Sequence, residues 1–128
     1  MTETISLWGT VIPHNDPAAQ TPNRMTRFPA PGNEPAPAVV VLPGGAYAGR
    51  APHEGNPIAA YYQNQGFHAF VVDYRVAPNR FPAALSDVQR AIRLIRQHAA
   101  DWCVDSRRIF VCGFSAGGHL AACAAILT

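Results

Sequence analysis

Hydrophobic and polar positions change rhythm near residue 38. Before it, "ISLWGTVI" alternates well enough for one edge strand and "RMTRF" for a second, shorter one. The stretches "PHNDPAAQTPN" and "PAPGNEPAP" around them are turn-rich loop, and eight of the twelve prolines fall in the first 43 residues. After it, "AVVVL" is a continuous apolar run, the mark of a strand covered on both faces. "PIAAYYQNQG" reads as a helix opening at Pro57 and closed by Gly66. "HAFVVDY" is a second buried strand. In "FPAALSDVQRAIRLIRQHAADW", Ala84, Leu85, Val88, Ala91, Ile92, Ile95 and Ala99 recur on one helical face, with Arg90, Arg93 and Arg96 pointing elsewhere. "RIFVCG" then reads as a third buried strand and "GGHLAACAAIL" as a helix. Buried strands alternating with helices predict parallel βαβ units in a three-layer α/β/α domain with a mostly parallel sheet. Residues 1–37 supply its edge strands and Pro-rich loops, and residues 38–128 its core.

Composition narrows the picture without redirecting it. The chain has 128 residues, enough for one domain, and 48% of them are hydrophobic, as a packed core needs. All ten basic residues are arginine and the net charge is +2. The arginines between Arg75 and Arg108 have only Phe81 and Trp102 among them, with no regular aromatic interleaving, so they read as solvated faces and not as a nucleic-acid platform. Cys103, Cys112 and Cys123 are odd in number and lack CxxC spacing, which fits neither a disulfide framework nor a zinc site. "MTETISLWGT" has no basic end followed by an apolar stretch, and no apolar run reaches the length of a membrane-spanning helix. The expectation is a cytoplasmic protein with no membrane or nucleic-acid partner, no metal and no cofactor.

Two loci carry chemistry. Gly113-Phe114-Ser115-Ala116-Gly117 fits the G-x-S-x-G pattern of a nucleophile elbow. A serine on a sharp strand-to-helix turn needs small neighbours. Its hydroxyl then projects over a helix N-terminus, where free N–H groups and the helix dipole favour developing negative charge. The same glycines could form an ordinary turn or a phosphate cradle, but the strand before and the helix after favour the elbow. The second locus is Pro43-Gly44-Gly45, directly after the "AVVVL" strand. Two glycines let the backbone pass close to a substrate with its N–H groups turned inward, as an oxyanion hole requires. A plain strand-ending turn is the alternative.

Four motifs in order, "LPGGAY", "HEG", "DYRVAPNRFPAALSDVQRAIRLIR" and "GFSAGGHLAA", resemble the α/β-hydrolase esterases over residues 38 to 128. The similarity is greatest to the hormone-sensitive-lipase-like and acetyl-xylan-esterase-like carboxylesterases. The resemblance implies Ser115 as catalytic nucleophile, with the N–H of Ala116 and those of Gly44 and Gly45 as the oxyanion hole. Tyr47, His53 and Glu54 are expected on the substrate side. Many such esterases have His-Gly-Gly where this chain has Pro43-Gly44-Gly45. The proline form is common in the acetyl-xylan branch and tilts the expected substrate toward short acyl esters, acetylated sugars or xylan among them.

In this fold the acid and the histidine follow the nucleophile in the chain. The short segment from Ser115 to Thr128 holds one histidine, His119, and no Asp or Glu. His119 lies one turn into the helix, where packing or capping suits it better than base catalysis. His98, Asp101 and Asp105 precede the "RIFVCG" strand and are expected at the wrong end of the sheet. Arg75 is expected to brace the turn that follows it, against Asp87. The sequence therefore resembles the N-terminal half of a hydrolase, lacking the acid and the base. By resemblance its strand order is 1-2-4-3-5, which leaves the "RIFVCG" strand outermost as a flat apolar edge. That edge predicts self-association or pairing with a complementing C-terminal half. The rival readings are a non-catalytic fragment that binds a partner or aids assembly, and a serine peptidase of the prolyl-oligopeptidase type.

Overall fold

Five strands and three helices appear in a computed structural model that describes residues 2–9, 24–43, 55–74, 83–113 and 121. The strands are β1 (Glu3–Ser6), β2 (Arg24–Phe28), β3 (Ala36–Leu42), β4 (His68–Asp73) and β5 (Val104–Gly113). The helices are α1 (Asn56–Asn64) between β3 and β4, then α2 (Ala83–Gln97) and α3 (Ala99–Trp102) between β4 and β5. The sheet order is β1-β2-β4-β3-β5, as the resemblance implies. β3 pairs parallel with both β4 and β5, whereas β2 is antiparallel to β1 and to β4. Four strands therefore run one way and β2 alone runs against them.

Alternation within the central strands builds the two faces. Val40 and Leu42 of β3 point to one side with Phe70 and Val72 of β4, where Leu85, Val88, Ile92 and Ile95 of α2 cover them. Val39 and Val41 point to the other side with Ala69 and Val71, where Ala59 of α1 packs. Both faces are apolar because both carry a helix layer, so β3 and β4 read as unbroken hydrophobic runs. Every position predicted for the inward face of α2 and α3, from Ala84 to Ala99, is buried, while Arg93 and Arg96 are exposed. α1 carries Pro57 in its first turn, where a missing N–H is harmless. Gly66, at φ +94°, lies just beyond the helix end in the left-handed region that glycine occupies without strain.

Two expectations need correction. β1 spans Glu3–Ser6, earlier than "ISLWGTVI" suggests, because Leu7 leaves the strand to bury itself in the core and Trp8 packs beside it. β5 is not a buried strand: only Val104 is buried along its length. Its composition is that of an interior strand, but among the described residues it has a single strand neighbour, β3. Nor is its edge wholly apolar. Ile109 and Val111 turn toward the α2 side and pack against the core, leaving Phe110 at 52% exposure as the large apolar group facing out. Nearer its start the strand carries exposed Arg107 and Arg108, both bonded to Asp105 (3.3 and 2.9 Å). These pairs, the Arg107 bond foremost, hold the Asp105 carboxyl down at about 2.

Candidate active site

The parallel strands β3, β4 and β5 end together. Leu42 pairs with Gly113 and Val41 with both Val71 and Cys112, so the segments that follow these strands all leave from one rim of the sheet. The predicted site residues Ser115, Ala116, Gly44, Gly45, Tyr47, His53 and Glu54 lie outside the described residues, as do Arg75 and His119. What the structure fixes is the ground from which they depart. Gly113, the first residue of the G-x-S-x-G pattern, is the last residue of β5 and sits opposite Leu42, one position before Pro43. Neighbouring strands lie about 4.8 Å apart. The two loci singled out from sequence thus depart from adjacent strands at the same end of the sheet.

Buried and half-buried polar contacts brace this rim. The Tyr74 hydroxyl, wholly buried one residue past β4, donates to the carbonyl of Pro43. Asp87, on the inward face of α2 and 1% exposed, accepts a hydrogen bond from Trp8 Nε1 at 2.9 Å. Arg90 Nε donates to the carbonyl of Leu7 (2.6 Å) while its guanidinium lies over the Trp8 ring at 5.3 Å. Arg90 therefore does not point away from the core as Arg93 and Arg96 do. Arg24 at the start of β2 pairs with Asp73 at the end of β4 (2.8 Å). Sequence reading gives Tyr74 no role and reserves Asp87 for Arg75. A carboxylate in the apolar stripe of α2 is the available signal, since a buried carboxylate requires donors.

The opposite end holds a second set of ionisable groups. From Asp105 to Gly113 an extended strand spans roughly 26 Å. Asp105 is thereby separated from the rim, as expected, and His98 and Asp101 lie in the same region before β5. His68 is buried there at 3% exposure: Nδ1 accepts from the Ala30 N–H (3.0 Å) and Nε2 faces the Cys103 carbonyl (2.9 Å). With Nδ1 accepting, the proton belongs on Nε2, which donates. Burial pushes its pKa down, against a smaller upward pull from the Cys103 carbonyl, and the nearby Arg27 pushes it down further. His98 stacks on Trp102 at 4.7 Å, and the Arg27 guanidinium sits 5.1 Å from the same ring. On the α1 flank, Tyr62, Phe67, Phe110 and Cys112 line an open groove of about 540 Å³. There the Tyr62 hydroxyl donates to Cys112 Sγ (3.8 Å), which raises the phenol's pKa. No three His, Cys, Asp or Glu among the described residues are placed to hold a metal, and no described helix is long and apolar enough to cross a membrane.

A sheet of order 1-2-4-3-5 with helices on both faces, in which the G-x-S-x-G sequence begins at the last residue of β5 beside the strand that Pro-Gly-Gly follows in sequence, defines an α/β-hydrolase. Residues 27–128 match the BD-FAE family, and the chain belongs to it, within the hormone-sensitive-lipase-like group. It is similar to an acetylxylan esterase of Xylanibacter ruminicola, at 35% identity over 71% of this chain and 19% of that protein. It is 38% identical to Esterase LipC of Mycobacterium tuberculosis over 73% of this chain and 24% of the relative. Among solved structures, an acetyl ester-xyloside bifunctional hydrolase from Caldicellulosiruptor lactoaceticus superposes with a TM-score of 0.89 at 41% identity, covering 94% of this chain and 45% of its own. The chain thus spans about a fifth to a quarter of these curated relatives and less than half of the solved hydrolase.

Proposed function

We propose that this chain is the nucleophile-bearing part of a serine carboxylic-ester hydrolase for short acyl esters, acetylated sugars and xylan foremost. The observation that carries the reading is that β5 ends at Gly113, the first residue of Gly113-Phe-Ser-Ala-Gly, opposite Leu42, the last residue of β3 and the one before Pro43-Gly44-Gly45 in sequence. The Ser115 hydroxyl attacks the acyl carbon while a general base takes its proton. The carbonyl oxygen becomes an oxyanion that accepts hydrogen bonds from the N–H groups of Ala116, Gly44 and Gly45. Collapse expels the sugar hydroxyl and leaves an acetyl-serine, which water then cleaves to acetate. The described histidines, His68 and His98, lie at the far end of the sheet, and the chain order of the resembled fold, in which acid and histidine follow the nucleophile, assigns the base and its acid to positions downstream of Ser115. The names of the relatives support the acyl preference: one is an acetylxylan esterase and one an acetyl ester-xyloside hydrolase.

The test compares p-nitrophenyl acetate, longer acyl esters, acetylated xylan and a peptide anilide in the full-length protein that carries this sequence. Acetyl esters are expected to be preferred, and Ser115→Ala to abolish turnover with the fold intact. The 128-residue chain alone is expected to stay close to background, since an unassisted serine hydroxyl is a weak nucleophile at neutral pH. Unchanged turnover in Ser115→Ala sinks the reading, and peptide anilide as the favoured substrate replaces the esterase with a peptidase.

A further inference from the structure

We propose that Tyr74 is a positioning residue for the oxyanion-hole loop, acting through the carbonyl of Pro43. The proposal rests on the serine-esterase reading above and deepens it. Among the described residues Tyr74 is the largest side chain that is fully buried, and its hydroxyl donates to Pro43 across 31 residues of sequence. β3 and β4 run parallel with Val41 opposite Val71, so Pro43 and Tyr74 leave neighbouring strands at the catalytic rim. A buried phenol must find a partner for its O–H. This one finds it in the last carbonyl before the two glycines.

The choice of that carbonyl matters because of covalent geometry. A peptide unit is planar and normally trans, so a C=O and the N–H of the next residue share one plane and point in opposite directions. Whatever orients the Pro43 carbonyl also orients the plane of the N–H that follows, one of the donors proposed for the oxyanion. Proline has no N–H of its own, and glycine restricts its backbone least of all residues. A Pro-Gly-Gly sequence therefore has little local means of holding that plane, and Tyr74 supplies it from the next strand. A merely stabilising hydroxyl would lower the fraction of folded molecules. A positioning hydroxyl also lowers the rate of each folded molecule when it is removed.

The experiment is Tyr74→Phe in the full-length protein, with rates expressed per active site titrated by a phosphonate ester. Losing a whole oxyanion donor costs roughly 10²–10³ in kcat, so misaligning one is expected to cost about tenfold, with KM nearly unchanged. The Ki of a boronic acid, whose tetrahedral adduct occupies the same hole, is expected to rise in parallel. Labelling proline carbonyls with ¹³C and glycine amides with ¹⁵N marks the two Pro-Gly pairs of this sequence, Pro43-Gly44 and Pro31-Gly32. The Pro43-Gly44 cross-peak is expected to move in Tyr74→Phe and the Pro31-Gly32 cross-peak to stay. An unmoved Pro43-Gly44 cross-peak overturns the proposal. So does a kcat per site within twofold of the parent while Ser115→Ala is inactive. Persistent turnover in Ser115→Ala overturns the esterase reading instead, and the cross-peak still reports on the Tyr74 contact.

Discussion

Replacing His68 with leucine tests whether one buried imidazole holds together the end of the sheet remote from the candidate site. The ring bridges the Ala30 N–H and the Cys103 carbonyl at 3.0 and 2.9 Å with 3% exposure, so leucine leaves both backbone groups desolvated and unpaired. Each such group costs about 1–3 kcal/mol, offset in part by the added apolar burial, which gives a loss of about 2–4 kcal/mol. Against a typical total of about 5–15 kcal/mol this is large. With a urea m-value of about 2 kcal/mol/M it moves the midpoint by about 1–2 M. The loss also depends on pH with a definite sign. Burial, and secondarily Arg27, lowers the folded pKa below the ordinary value of 6.5, the Cys103 carbonyl opposing them. Above 6.5 the ring is neutral in both states and the bridge contributes fully. Below 6.5 the unfolded chain takes up a proton that the folded ring refuses, so the parent loses stability on acidification while the leucine variant lacks this component. Urea titrations of both proteins at pH 7.5 and pH 5.0 are expected to show the cost of the substitution shrinking at the lower pH. An equal cost at both, or a cost under about 0.5 kcal/mol at pH 7.5, would refute the bridge.

Trp8→Phe removes one donor from the buried Asp87 carboxylate and the indole face from Arg90, for an expected loss of about 1–3 kcal/mol by chemical denaturation, while Arg93→Ala on the exposed face is expected to change little. Gly45→Val in the full-length enzyme is expected to reduce kcat by roughly 10²–10³ with a far smaller effect on the melting temperature, and an unchanged kcat makes the loop only a turn. The 128-residue chain is expected to self-associate through β5 in sedimentation equilibrium, and Phe110→Arg to shift it toward monomer; a parent chain that stays monomeric at high concentration contradicts this.

Local patterns make most of the scaffold legible. Branched apolar runs mark β3 and β4, and the spacing from Ala84 to Ala99 marks the inward face of α2 and α3, because those signals depend on nearest neighbours in sequence. Contacts made over long separations are not legible. Trp8 finds Asp87 from 79 residues away and His68 finds Ala30 from 38, and nothing in either residue's vicinity announces its partner. β5 departs from its expected burial for a related reason: an apolar run specifies which residues could be buried, whereas the neighbouring strands and helices decide which are. The candidate site divides the same way. Ser115, Gly44 and Gly45 stand out through short motifs, while Tyr74 is inconspicuous within "DYR", its role visible only once β3 and β4 lie side by side.

The strand order also sets a timetable for synthesis. Among the described strands, β1 with β2 and β3 with β4 are adjacent both in the chain and in the sheet, and a two-stranded pair is marginal in water. Phe28 of β2 must wait for Ala69 of β4, and Leu42 of β3 must wait for Gly113. At a synthesis rate of about 5–20 residues per second, the first delay is roughly 2–8 s and the second roughly 4–14 s. During the second interval the most apolar segment of the chain, "AVVVL", has one hydrogen-bonding edge without its native partner. The central position that buries β3 so thoroughly in the finished sheet makes it the last strand to be paired on both sides and the first place where a nascent chain would aggregate or engage a chaperone.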